Sequence, residues 1–171
     1  MCVTSKSIVV ILSVLFGFCP ALAQEGSNHT NKDSLYAVAL FASLREMQKS
    51  WGYIDDNDSN TLRMDYRHMF VESDPRITDG LPSEEGEYRV EYLDMQAQKD
   101  RCQKLKKHFA ILTIEPMRSD GSVLEIQVSV SHLSYMRHRL TYGFSDWSDV
   151  HFRYDCKSQR FVVSTVELGG I

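Results

Sequence analysis

The sequence predicts an α+β domain: about two helices packed on a curved antiparallel sheet of four to six strands. Three observations carry that expectation. An apolar stripe at helical period runs from Leu35 to Trp51, a second helical pattern spans Val90 to Lys107, and the C-terminal third is rich in β-branched residues with turn residues at short intervals. The composition agrees. Of 171 residues, 43% are hydrophobic and 25% charged, with 9 Gly and 4 Pro, which excludes a collagen, a coiled coil or a disordered tail and suits one core.

At the start, Lys6 precedes the apolar run Ser7 to Cys19 and the small-x-small pattern Ala21-Leu22-Ala23, the layout of a secretory signal cleaved after Ala23. The run is shorter than the roughly 20 residues that span a bilayer, and Phe18 before Cys19 does not suit a lipoprotein. The expected organisation is a signal peptide over 1–23, a flexible polar lead over 24–33 and a single domain over 34–171, in a secreted or periplasmic protein. Loss of Lys6 makes the chain slightly more acidic than its formal charge of −4. Nucleic acid and anionic membranes both require clustered Lys and Arg, so neither is an expected partner. The one basic run, Lys104, Lys106, Lys107 and His108, falls where a helix ends and complements its dipole. Cys2 and Cys19 leave with the signal. The remaining even pair, Cys102 and Cys156, predicts one disulfide, worth about 4 kcal/mol by the chain-entropy model.

Within the domain, Tyr36, Leu40, Leu44, Met47 and Trp51 recur at steps of four and three, with Asp33 or Ser34 to cap the helix and Gly52 to end it. Asp55 to Asn60 is a polar linker; it resembles half of a calcium loop but lacks the glycine and glutamate that complete one. Asn28 and Asn57 match the glycosylation acceptor pattern. Leu62, Met64, Tyr66, His68 and Phe70 alternate as in a strand, although Leu62, Tyr66 and Met69 also fit a helix. Residues 73–86, with Asp74-Pro75, Asp79-Gly80 and Leu81-Pro82, read as a long irregular segment, of the kind that is often functional. The second helix follows over Val90 to Lys107, with Tyr92, Met95, Cys102 and Leu105 on one side. Then come a strand over His108 to Pro116, a turn at Ser119 to Ser122, and a strand from Val123 to Leu133 whose apolar face is Leu124, Ile126, Val128, Val130 and His132. A strand near Arg139 to Phe144, a turn at Ser145 to Asp149, a strand over Val150 to Tyr154, a connection at Lys157-Ser158-Gln159 and a last strand over Arg160 to Leu168 complete the chain. This element order resembles the cystatin-like and nuclear-transport-factor-2-like cone folds. The resemblance implies a fold and carries no function.

The chain contains no nucleophile elbow, phosphate-binding glycine loop, dinucleotide fingerprint or zinc-protease helix. What remains is His132 and His138 on strands, with Tyr142 nearby. At the mouth of an apolar concavity two imidazoles would serve as an acid/base pair; at strand ends they would instead be half-exposed and structural. Ser145, Asp146 and His151 are close in sequence, but triad members converge from separate elements. No spacing fixes a metal site, and no cofactor is expected. Trp147, beside Asp146 on a polar segment, either anchors a turn or offers a binding surface. The leading expectation is therefore an exported, non-enzymatic binding or protein-interaction module. Its contacts, to a protein or small ligand, come from the 73–86 segment and from Trp147 and Asp146. The alternatives are a small pocket enzyme using His132, His138 and Tyr142, and an inhibitor or immunity-type protein.

Overall fold

A computed structural model describes residues 34–52, 64–105, 108–121, 123–136 and 139–170. The readings of the signal segment, the lead, the 55–60 linker, Asn28, Asn57 and His138 lie outside the described residues.

The first helix, α1 (Leu35–Trp51), runs as its periodicity requires. It is followed by β1 (His68–Glu72), β2 (Glu84–Glu85), β3 (Tyr88–Leu93), α2 (Met95–Leu105), β4 (Phe109–Ile114), β5 (Arg118–Asp120), β6 (Val123–Met136), β7 (Arg139–Asp155) and β8 (Arg160–Gly170). The strands form one sheet in the order β2-β3-β1-β4-β6-β7-β8, with β5 paired to β6. The α+β class holds, with eight strands among the described residues rather than four to six. The sheet is also mixed: β1 runs parallel to both β3 and β4, and the other pairs are antiparallel. The parallel pairs arise because α2 carries the chain from β3 across β1 to β4, a crossover that two-residue turns cannot make.

The second helix begins at Met95, five residues later than its periodicity suggested. Tyr88 and Val90 alternate as buried residues of β3. Asp94 then starts the helix: its carboxylate accepts the Ala97 N–H at 2.7 Å and its carbonyl the Gln98 N–H at 2.9 Å. Met95, expected on the packed side, is 73% exposed. In β1 the buried residues are Met69 and Val71, not His68.

The two helices cover opposite faces of the sheet. Residues Ala39 to Leu44 of α1 are all buried, so the middle of the helix is enclosed on every side. It packs on Val71, Val90, Leu112, Ile126, Val128, Val130, Val150 and Phe152, with Val163, Val166 and Leu168 of the edge strand closing over it. At the opposite edge Arg45 pairs with Glu85. Contact with both edges means the sheet curls around α1. The hydroxyls of Ser43 and Ser148 hydrogen-bond at 2.6 Å inside this core. On the other face α2 covers a smaller cluster, Leu93, Cys102, Phe109, Ile111 and Leu133, flanked by Phe70, Tyr135 and Leu140. Arg101 lies 3.9 Å over the Phe70 ring and pairs with Glu91 at 3.0 Å, tying helix to strand.

Cys102 and Cys156 are free thiols, and the predicted disulfide is absent. Cys102 packs in the α2 cluster near the start of β7, whereas Cys156 lies in the exposed turn just beyond its end. That strand, at ~3.3 Å per residue, separates them by tens of ångströms, against a Cα separation of at most about 7 Å for a disulfide. Burial pushes the Cys102 thiol pKa up, which keeps it protonated and inert.

Candidate functional site

The segment Ser145 to Asp149, expected as a turn, is the middle of β7, and a bulge there builds the most distinctive surface of the molecule. Val130 pairs with Asp146 and Ser131 with Phe144, so Ser145 is the extra residue; its hydroxyl donates to the Val130 carbonyl at 3.3 Å. In a regular strand, residues three apart point to opposite faces. The extra residue cancels that alternation and puts Phe144 and Trp147 on the same side, the face that α2 only partly covers. Their rings stack with centroids 5.7 Å apart at 21°. Phe144 is 47% exposed. Gly169, opposite Trp147 on β8, receives the indole: a Cβ there would come within 2.2 Å of it.

From this pair a row of cross-strand neighbours runs over the sheet, from Gly169 through Trp147 and Ser129 to Thr113. Thr113 donates to the Glu72 carboxylate at 3.0 Å. Glu72, Thr113 and Glu115 form one side of a cleft of about 500 Å³, closed on the other by residues 73–78. Thr113 and Trp147 are two strands apart, roughly 10 Å at ~4.8 Å per strand. The same face carries Asp149, which accepts from Gln127 at 2.9 Å, and His151, whose ring nitrogens lie 3.7 Å from Glu125 and 3.8 Å from Glu167. Glu72, Glu115, Glu125, Asp149 and Glu167 have no Lys or Arg partner among the described residues. The surface is thus an aromatic pair bordered by carboxylates and hydroxyls, with Arg118 opposite Glu125 and Arg153 beyond His151 farther along the same face. The described residues contain no cluster of His, Cys, Asp and Glu fit for a metal ion, and no described helix is long and apolar enough to cross a membrane.

The residues singled out from sequence divide between the faces. Trp147 lies on the open face, but Asp146, paired with the core residue Val130, points to the α1 side, where it packs on Gly170 and its charge reaches the buried Tyr66. Burial first, and the Asp146 charge second, push the Tyr66 pKa up to about 12. His132 is exposed and pairs with Gly143, while Tyr142 pairs with Leu133, so His132 and Tyr142 point to opposite sides. Tyr142 has a different task. Its hydroxyl donates at 2.8 Å to the buried Gln98 side chain, whose amide in turn donates to the Leu93 carbonyl at 3.1 Å, fastening α2 to β7. Ser73 to Thr78 contribute to the cleft, and Asp74 both caps its turn and pairs with Arg76 at 2.7 Å. Sequence reasoning missed Phe144, Gly169, Glu72 and Thr113. Only Phe144 left a signal, an aromatic residue three before Trp147, and that spacing becomes meaningful only with the bulge.

Comparison of the chain with family models, with curated proteins and with solved structures finds no match.

Proposed function

We propose that the protein is an exported, non-enzymatic module that captures a cationic protein partner on its open sheet face. One observation carries the reading: a stacked Phe144–Trp147 pair, with Phe144 about half exposed, lies beside carboxylates that form no ion pair with Lys or Arg among the described residues. Aromatic faces attract Lys and Arg side chains, and nearby carboxylates add charge-assisted hydrogen bonds. The cleft beside residues 73–78 takes a second side chain of the same segment. Rings like these anchor interfaces because they bury much area at little entropic cost. Export rests on the N-terminal pattern alone, and the mass of the protein recovered from its native compartment tests it: cleavage gives a chain starting at Gln24.

The binding test isolates Trp147 emission in a Trp51→Phe background and titrates it with a Lys/Arg-rich peptide. The expected result is a saturable change that weakens as salt rises and disappears when Phe144 is changed to Ser. A titration that stays flat, or that ignores Asp149→Asn and Glu72→Gln, sinks the proposal.

A further inference from the structure

The sheet is open, and its two edges are unequal. At the β2 end the strand is two residues long, both acidic, and Arg45 of α1 covers Glu85. Such an edge is protected against pairing. At the other end β8 runs for eleven residues without Lys or Pro, and no described strand pairs with its free side. Along it lies a mainly apolar groove of about 680 Å³ lined by Leu35, Val38, Phe161, Val162 and Val163, with Arg160 at its end.

The order of residues in β8 selects the occupant. When a strand pairs antiparallel with its own copy across a twofold axis, opposite residues must lie on the same face. In a regular strand only residues an even number apart meet that condition. β8 is not regular. His151 pairs with Thr165 and Phe152 with Val163, so Ser164 is an extra residue, and its hydroxyl donates to the His151 carbonyl at 3.0 Å. As a result Arg160, Val162, Thr165 and Glu167 share the open face, while Phe161, Val163 and Val166 share the α1 face. With the axis between Val163 and Ser164, Arg160 falls opposite Glu167 of the second copy, Phe161 opposite its Val166 and Val162 opposite its Thr165. These three pairs match in face, the ends match in charge, and the inner two are apolar or β-branched, the combinations that stabilise antiparallel ladders; at the axis itself Val163 falls opposite the bulged Ser164 of the second copy. A register shifted by two residues keeps the faces but leaves Arg160 opposite Gly169. We infer that the protein dimerises by antiparallel pairing of β8 with β8 of a second copy, in the register that joins Arg160 to Glu167 at both ends. The two grooves then meet beside the axis and bury Phe161 and Val163.

Sedimentation velocity on the intact protein tests this. The wild type is expected to dimerise in a concentration-dependent way. Arg160→Glu or Glu167→Arg alone places like charges opposite each other twice and is expected to weaken the dimer at least about tenfold. The double exchange, R160E with E167R, restores opposite charges and is expected to return affinity to near the wild-type value. Both positions are exposed, and circular dichroism confirms that each variant folds. A wild type that stays monomeric up to about millimolar concentration overturns the inference. So does a dimer that ignores the single changes, or one that the double exchange does not rescue.

Discussion

The two faces of the sheet are built from the same strands and do opposite things. The α1 face is a closed core: a helix buried through its middle lies in a sheet that reaches it from both edges. The open face has the smaller α2 cluster over β1, β4 and the start of β7, and then a stretch of sheet where Phe144 and Trp147 meet water. The comparison teaches where stability and recognition have been placed. One face concentrates burial, which frees the other to display apolar rings without endangering the fold.

The comparison breaks most sharply at Phe41, which is fully buried in the middle of α1. Phe41→Ala removes a large side chain where the enclosing strands cannot collapse, and a loss of about 3–5 kcal/mol in urea unfolding is expected. Leu133→Ala on the other face should cost less, about 2–3 kcal/mol, and should loosen α2 before the rest. Faster amide exchange in Met95–Leu105 than in α1 is the readout; uniform acceleration across both helices would show that the faces do not open separately.

A third expectation probes the α1 face by pH. Tyr66 and Tyr92 belong to the α1 side, and burial pushes both hydroxyls up to about 12. The unfolded chain ionises near 10 and releases its protons first, so stability is fully present below pH 10 and falls as pH rises toward about 12. Urea midpoints measured between pH 8 and 11.5 should show this fall, and Tyr66→Phe should reduce it by about half, leaving the part due to Tyr92. The smallest effect belongs to the aromatic pair: Trp147→Ser with Phe144→Ser should cost about 1–2 kcal/mol, since Phe144 is about half exposed and Trp147 is only partly covered, while removing the proposed binding. A large loss of stability would instead make the pair a structural brace.

How much of this was legible in the sequence varies by element for physical reasons. The α1 stripe carries its own geometry, because a buried helix needs no partner to set its period. At Val90 to Asp94 a strand and a helix meet, and Tyr88 and Val90 alternate just before a capping aspartate, so the helical reading ran five residues too far. Parallel β1 depends on neighbours that come later in the chain, and its buried face could not be chosen from alternation alone. The cysteine pair was an argument from number, and number does not report that β7 stands between them. The open face was half visible: Trp147 and the 73–78 segment are on it, but Asp146 and His132 are not, because the face of each side chain depends on strand pairing that sequence alone does not display.

The bulge at Ser145 makes the aromatic surface a property of chain length more than of composition. Deleting that serine would leave every ring in the protein, yet one of Phe144 and Trp147 would turn inward and the other would stand alone. Such a surface can be switched on or off by inserting or removing one codon. A search that weighs only substitutions, position by position, would pass over the change that matters most.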